Sequence, residues 1–338
     1  FQFILILLFQ ENLVTLPAAK HRLRLDPNER NDLKKILLII FIVSAFVNAN
    51  DNYSELSKNL YSHVEFLTTT PKYRNHRNIE SLNIAADYIE SLFRVYSERV
   101  EIQSFTDNEN EYKNIICSFG PEDGERIVVG THYDVCSEQP GADDNASGIA
   151  GLIEVAKLIS EKKPNLTKRV DLVAYTLEEP PHFRKTTMGS YVHAKSLKDA
   201  GIEVDVMICI DMIGYYDDTP NSQKYPSGFL KLFYPDEANF IAIVSNFKNH
   251  FSGRKVKNLM RKNSNIKVCQ LSAPSSLEGI DWSDHLNFWN FGYKAVFITD
   301  TSYYRNNRYH KKTDTIDTLN FDKMSEVVNG LYWAVINF

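Results

Sequence analysis

The stretch RIVVGTHYDVCSEQPGADDNASGIAGLIEVAKLISEKKPNLTKRVDLVAYTLEE (126–179) decides the fold. It opens with an apolar run typical of a buried strand, RIVVGT (126–131). Residues 146–162 then place apolar side chains at helical spacing, and VDLVAYTL (170–177) returns to strand character. Strands that alternate with helices predict parallel pairing and a sheet covered on both faces.

The same alternation continues on both sides of this stretch. A helix is predicted over 189–198, ended by Gly201, and VDVMICI (204–210) is predicted as the next strand. The other predicted helices are 53–67, 78–96, 237–262 and 321–336, and the other predicted strands are 100–105, 114–119, 266–271 and 295–299. We therefore predict one α/β domain over residues 50–338.

Composition limits the class of protein. The chain has 338 residues, of which 43% are hydrophobic and 24% charged, and its formal net charge is −5. This is an ordinary globular composition with enough apolar residues for a large core. No long basic run stands out, so nucleic acid is not predicted as a partner. The four cysteines form no CxxC pair, which argues against a cysteine zinc site.

The first 49 residues are predicted to lie outside this domain. Lys34 and Lys35 precede an apolar run over 36–47, and Val47 and Ala49 supply small side chains before a cleavage point. This pattern predicts a signal peptide with its apolar core at 36–47, and hence a secreted or periplasmic protein. The apolar run is shorter than the about 20 residues that a membrane span needs. A buried N-terminal helix and a retained membrane anchor are the alternatives.

One histidine and five acidic residues follow the predicted strands or open the next helix: His132, Asp134, Asp144, Glu178, Glu179 and Asp211. In open α/β sheets the C-terminal ends of the strands form the ligand crevice, so these residues are expected to converge. Neutral imidazole and carboxylate are the usual nitrogen and oxygen ligands of zinc. The pattern therefore predicts a metal site at this edge.

Each residue alone has a simpler structural interpretation. His132 could be a structural histidine, Asp144 part of a helix cap, and the two glutamates a solvated strand end. Asp211 is harder to explain in this way, because a carboxylate in an apolar strand needs a partner. Together the residues favour a metal site. His132 and Asp134 lie two apart, which allows a carboxylate to hold a metal-binding imidazole.

A set of short motifs resembles the co-catalytic zinc exopeptidases of peptidase family M28, which includes leucyl aminopeptidases, glutamate carboxypeptidases and glutaminyl cyclases. The matching stretches are THYD (131–134), PGADDNASGIA (140–150), LEE (177–179), MGS (188–190), DMIGY (211–215), SDH (283–285) and YHKKTDT (309–315). The resemblance extends from about residue 55 to the C-terminus. It implies a three-layer α/β/α sandwich around a mixed, mostly parallel sheet of about eight strands.

The resemblance also implies a role for each matching residue. It assigns His132 and Asp211 to one Zn²⁺, Glu179 and His310 to a second, Asp144 to the bridge between them, Glu178 to the general base and Asp134 to the support of His132. Asp284 and His285 are expected to be structural, with His285 as a metal ligand the alternative. The Asp144–Asn145 peptide bond is expected to be cis.

Two departures from the family pattern stand out. Relatives often carry HTPxDT after the last ligand, where this chain has HKKTDT (310–315). Some aminopeptidases have a tyrosine three residues before SDH that steadies the transition state, and Ile280 occupies that position here. Tyr303, Tyr304 and Tyr309 are candidate replacements, and the sequence does not choose among them.

The resemblance implies an aminopeptidase that acts on peptides with a free N-terminus. A carboxypeptidase is the first alternative, and it would need a cationic pocket, for which Arg184, Arg305 and Arg308 are candidates. A glutaminyl cyclase is less favoured, because those relatives tend to have Trp immediately before the last metal histidine and this chain has Tyr309. A catalytically inactive receptor domain is disfavoured because all candidate ligands and Glu178 are present.

Overall fold

Eight strands form one sheet at the centre of the computed structural model, which describes residues 55–338. In chain order they are β1 (Val100–Asp107), β2 (Asn110–Phe119), β3 (Arg126–His132), β4 (Arg169–Tyr175), β5 (Val204–Ile210), β6 (Phe240–Ser245), β7 (Lys267–Ser272) and β8 (Ala295–Thr299). The predicted signal segment at 36–47 and the domain boundary at residues 49 and 50 lie outside the described residues.

The sheet is mixed, as the family resemblance implies. Its strand order is β1-β2-β4-β3-β5-β8-β6-β7. Parallel pairs join β4 to β3, β3 to β5, β5 to β8, and β6 to β7, whereas β1–β2, β2–β4 and β8–β6 are antiparallel. The C-terminal ends of the four parallel strands β4, β3, β5 and β8 therefore lie side by side at one end of the strands.

Helices cover both faces of the sheet. They are α1 (55–68), α2 (Ile79–Tyr96), α3 (Gly148–Lys162), α4 (Gly189–Asp199), α5 (His250–Asn263), α6 (His285–Asn290) and α7 (Phe321–Asn337). One core layer packs the sheet against α1, α2, α3, α5 and α7, and the other packs it against α4 and α6. Successive residues of β3 alternate between the layers, with Val128 in one and Val129 in the other, because strand side chains point to opposite faces. The predicted three-layer sandwich is confirmed.

The helix predicted over 237–262 is wrong in its first half. Residues 240–245 form β6, and α5 begins only at His250. All six β6 residues are buried, since the strand is covered on both faces. A short apolar run of this kind has no strand alternation, so its periodicity does not distinguish it from a buried helix. Asn246 and the 3₁₀ turn Phe247–Asn249 separate the two elements, and the Asn246 side chain accepts the backbone N–H of Asn249.

The described helices include none that combines the length and the apolar character needed to cross a bilayer.

Candidate metal centre

The predicted ligands converge at the edge where the parallel strands end. His132 is the last residue of β3, Glu179 follows β4, and Asp211 comes directly after β5. Asp144 lies between β3 and α3, and His310 lies in the connection between β8 and α7. Residues from five separate parts of the chain therefore meet in one place.

Two ligand clusters share Asp144. His132 Nε2 lies 3.4 Å from Asp144 Oδ1 and 3.5 Å from Asp211 Oδ1. His310 Nε2 lies 3.2 Å from Asp144 Oδ2 and 3.2 Å from Glu179 Oε2. Each oxygen of Asp144 therefore faces a different histidine, as a carboxylate that bridges two cations would.

Several buried polar atoms at this site have no hydrogen-bond partner among residues 55–338. They include His132 Nε2, Asp144 Oδ2 and Glu179 Oε1. Buried polar atoms are rarely left unsatisfied in native proteins, because the lost hydration is not recovered. Cations bound in the two clusters would satisfy these atoms, and imidazole with carboxylate is a donor set that suits zinc. The residues present therefore fit a metal site.

The buried carboxyl groups of the site also indicate that it binds positive charge. Burial raises the pKa of Glu178 well above its usual range and raises the pKa of Glu179 to about 7. Burial also raises the pKa of Asp211, although His132 opposes the shift. Burial acts in the same direction on Asp144, but the nearby imidazoles of His132 and His310 outweigh it and lower the pKa of this carboxyl. Divalent cations would stabilise the ionised form of these carboxylates.

Glu178 lies beside the clusters, where the resemblance places the general base. It is buried, and a ligand atom of its side chain lies within 4.8 Å of ligand atoms from His132 and Glu179. Its side chain also lines a cavity that opens onto the site. Glu178 therefore borders both the cavity and the ligand clusters.

Two further carboxylates hold the ligand loops through backbone hydrogen bonds. Asp134 accepts the N–H groups of Glu178 and Glu179, both at 3.1 Å. The hydrogen bond from His132 Nδ1 goes to the Asp134 carbonyl at 3.1 Å, and the Asp134 carboxylate is 3.6 Å away. Asp134 thus supports the glutamate pair as well as His132, a contact that sequence reasoning did not anticipate.

Asp314 plays the corresponding role on the other side of the site, and sequence reasoning gave it no role. Its two carboxylate oxygens accept the N–H groups of Asp143 at 3.0 Å and Asp144 at 3.1 Å. Burial raises the pKa of Asp314 to about 8. The one hint in the sequence was that His310 and Asp314 keep the spacing of the family pattern HTPxDT.

The segment around Asp144 is shaped by Asn145. The Asp144–Asn145 bond is cis, so this prediction is confirmed. The Asn145 amide donates to Thr131 Oγ1 at 2.8 Å and to the Ile210 carbonyl at 3.1 Å. Its oxygen accepts the N–H groups of Gly148 and Met212. One side chain therefore ties the start of α3 to the ends of β3 and β5.

Cys136 also reaches the site, and sequence reasoning missed it. Its sulfur lies within 4.8 Å of ligand atoms from Glu179 and His310. A single cysteine without a second one at ligand spacing gives no metal signal in a sequence.

The SDH stretch lies next to the site. His285 belongs to none of the ligand clusters found among residues 55–338. Its Nε2 hydrogen-bonds the Ile280 carbonyl at 2.8 Å and its ring stacks on Phe297. Asp284 is fully buried, its oxygens have no hydrogen-bond partner in the described chain, and burial raises its pKa to about 7. The geometry thus matches a structural role for His285.

A cavity of about 300 Å³ adjoins the ligands. Its walls are largely apolar and include Phe183, Tyr225, Tyr234, Phe240, Trp282 and Phe297. The three candidate replacements for the missing tyrosine, Tyr303, Tyr304 and Tyr309, all line it. The Tyr303 hydroxyl donates to Glu278 at 2.8 Å, whereas the buried Tyr304 hydroxyl has no partner among the described residues. The Tyr309 ring stacks on His310 with centroids 3.8 Å apart.

An α/β/α sandwich with imidazole and carboxylate clusters at its strand ends has the architecture of a metallopeptidase. The model for peptidase family M28 matches residues 114–333. An uncharacterised protein of Escherichia coli, YfbL, is 43% identical over 282 residues, covering 81% of this chain and 86% of that protein. A probable leucine aminopeptidase of Arthroderma otae is 25% identical over 279 residues, covering 77% and 67%.

Solved structures share the fold. The LapA aminopeptidase of Legionella pneumophila superposes with a TM-score of 0.67 at 18% identity, covering 85% of this chain and 74% of that one. A glutaminyl cyclase of Tannerella forsythia gives 0.62 at 19% identity, covering 83% and 98%. This chain belongs to peptidase family M28 and is a hydrolase of the peptidase class.

Proposed function

We propose that the protein is a zinc-dependent aminopeptidase that removes the first residue of a peptide. Two zinc ions would be held as the resemblance assigns them, one by His132 and Asp211, the other by Glu179 and His310. The observation that carries the proposal is the position of Asp144, whose two carboxylate oxygens face the two histidines separately.

The residues of the chain divide the chemistry among them. Bound zinc supplies Lewis acidity and a water of lowered pKa. Glu178 takes a proton from the attacking water and returns it to the amine that leaves. Asp134 holds Glu178 and Glu179 by their backbone N–H groups, so the base and the neighbouring ligand keep their relative positions.

The cavity next to the ligands would take the side chain of the first residue. Its apolar walls exclude water and favour an apolar or aromatic side chain. The carboxylates at its mouth, among them Glu179 and Asp211, would attract the free α-amine of the substrate. Binding the amine there restricts cleavage to the terminal bond.

The alternatives have less support in the site. A carboxypeptidase needs a cation for the substrate carboxylate, and none of its three candidate arginines lines the cavity. Arg184 pairs with Asp281 at 2.7 Å, and Arg305 is buried against Gln223 and Phe240. Among residues 55–338 the cavity lining includes one lysine, Lys224, and no arginine. A glutaminyl cyclase is disfavoured because this chain has Tyr309 at the position where those relatives tend to have Trp.

The deciding assay compares a free peptide with its N-acetylated copy in the same zinc-containing buffer. We expect release of the first residue from the free peptide alone, loss of release with a chelator, and recovery with zinc. Shortening of both peptides from the C-terminus would identify a carboxypeptidase. Ring closure of an N-terminal glutamine without shortening would identify a cyclase.

We also propose that the protein is exported and cleaved after Ala49. The proposal rests on the apolar run 36–47, its preceding lysines and the small residues that follow. N-terminal sequencing of secreted material is expected to begin at Asn50. Recovery of uncleaved protein from the cytoplasm of the native host would refute export, and uncleaved protein in the membrane would indicate an anchor.

A further inference from the structure

Positive charge is concentrated in one part of the chain. Residues 238–277 contain seven lysines and arginines and no aspartate or glutamate. The whole chain has a formal net charge of −5, so the remainder carries −12, the difference between −5 and +7. The seven cations are spread over 40 residues, so they do not form a continuous basic stretch in the sequence. The chain is therefore strongly polarised in charge.

The structure places these residues at one end of the sheet. They span β6, α5 and β7, and β7 is one of the two edge strands of the sheet. Helix α5 buries Gly253, Val256 and Met260. The opposite side of the helix is exposed and carries Phe251, Arg254, Lys255, Arg261 and Lys262. Lys267 is exposed on β7 itself.

Exposed apolar side chains accompany the charge. Five of the nine large hydrophobic residues that are exposed in the described chain lie between residues 229 and 251, so exposed apolar side chains are concentrated in this part of the sequence. They are Phe229, Leu232, Phe233, Phe247 and Phe251, with exposed fractions of 65%, 76%, 67%, 65% and 78%.

Hydrogen bonds join the two parts of this surface. Tyr234, which follows the 3₁₀ helix Gly228–Leu232, donates through its hydroxyl to the Gln270 carbonyl of β7 at 2.7 Å. The Gln270 side chain in turn donates to the His250 carbonyl at the start of α5 at 2.9 Å. We call this surface the basic edge: residues 228–234, Phe247, Lys248, the exposed side of α5, and Lys267.

Most cations of the basic edge have no acidic partner within the described chain. Lys248, Arg254, Arg261, Lys262 and Lys267 make no ion pair among the described residues, and the Lys255 ammonium contacts Phe338. A lysine on an edge strand protects against strand pairing, which accounts for Lys267. It does not account for five exposed apolar side chains, which lower solubility.

We propose that the basic edge docks on an anionic phospholipid surface. Aromatic and leucine side chains enter the boundary between headgroups and acyl chains, while lysine and arginine remain among the anionic headgroups. The acidic remainder of the molecule is repelled by the same surface, so the charge polarity orients the protein. Nucleic acid would attract the cations, but it offers no apolar phase for Phe229, Leu232 and Phe233.

The test is co-sedimentation of the full chain with vesicles of phosphatidylcholine, alone or with 30 mol% phosphatidylglycerol. We expect binding to the anionic vesicles that weakens with added salt. The double variant Arg254→Gln/Arg261→Gln is expected to lower the partition coefficient about 25-fold, since each cation near the surface contributes about fivefold. Phe229→Ser/Phe233→Ser is expected to reduce binding even at low salt.

The control is Lys58→Gln/Lys198→Gln, which removes the same charge from exposed positions on α1 and α4. It is expected to bind as the wild type does, and thermal unfolding checks that all variants fold. The upstream residues are the same in every variant, so differences report on the basic edge. Equal binding to both vesicle types, equal loss in the control, binding to duplex DNA but not to vesicles, or dimerisation through this surface would each overturn the proposal.

Discussion

Asp144 is the residue on which the geometry of the site depends most. Its oxygens face His132 and His310, and its backbone N–H is fixed by Asp314. The Asp143 backbone N–H donates to the other oxygen of the Asp314 carboxylate. Asp314 therefore sets the position of Asp144 without belonging to a ligand cluster itself.

We expect Asp314→Asn to weaken metal binding about 10- to 100-fold while the protein stays folded. An asparagine presents an N–H₂ group to one of the two backbone N–H groups that Asp314 accepts, so that contact becomes repulsive. Zinc affinity measured by competition with a chelating dye checks this. An unchanged affinity would show that the position of Asp144 does not depend on Asp314.

Glu178 and Glu179 are adjacent in sequence but are expected to respond differently to the same substitution. Glu178→Gln should retain the metal and lose about 10²–10⁴ in turnover, because an amide cannot accept the proton of the attacking water. Glu179→Gln should lose zinc as well as activity. Metal content by mass spectrometry, measured beside kcat on each purified variant, separates the two. Loss of metal from Glu178→Gln would mean that Glu178 is a ligand.

The sequence was informative about this site because strand ends can be read from apolar runs. His132, Asp144, Glu179 and Asp211 could be placed together for that reason. His310 was added only by the family resemblance, and the roles of all five as ligands remain predictions. Cys136 and Asp314 could not, because their contacts depend on how loops close. The hydrogen bond between Asp143 and Asp314 joins residues 171 positions apart.

Among the elements, β6 shows where periodicity fails. Its six residues are all buried, and the basic helix α5 follows after a short break. The two segments together resemble one long helix because an apolar run gives no alternation. The strands β3, β4 and β5 were predicted correctly, since the helices between them have clear amphipathic spacing.

The start of α3 is packed so closely that it has no room for a side chain. A Cβ at Gly148 would lie 2.3 Å from Asn145 Oδ1 and 2.4 Å from Thr131 Oγ1. We expect Gly148→Ala to lower the free energy of unfolding by about 1–3 kcal/mol and to disturb the Asn145 contacts. Gly228→Ala is the control, because a Cβ there meets nothing within 4 Å. Urea unfolding of both variants tests this, and equal stabilities would contradict it.

At the scale of the whole molecule, buried histidines make stability depend on pH. Burial lowers the pKa of His193 and of His285 to about 4. The unfolded chain binds these protons near pH 6.5, so the stabilisation is present above that pH and is lost as pH falls toward 4. Each histidine accounts for about 2 kcal/mol between pH 7.5 and pH 5.

Comparison with a variant isolates this contribution from that of other groups. His285→Gln is expected to be less stable at both pH values, but its stability should fall by about 2 kcal/mol less than that of the wild type between pH 7.5 and pH 5. Urea unfolding at the two pH values measures this difference. Identical pH dependence would show that His285 is not held neutral by burial.

The basic edge could not be predicted from the sequence pattern alone. Its cations are interrupted by apolar and polar residues, and they share a surface only because α5 turns them to one side. The overall composition, with a net charge of −5, conceals the polarity. Charge distribution of this kind emerges only when the elements are assembled.

The place of β8 in the sheet bears on how the chain is made. It is the last strand along the sequence, yet it lies between β5 and β6. While the ribosome is translating residues 273–294, the pair β6–β7 has no neighbouring strand to join, and an isolated two-stranded unit is at best marginally stable in water. The sheet therefore closes only when residues 295–299 have emerged, and until then the nascent chain exposes apolar strands that a chaperone would recognise.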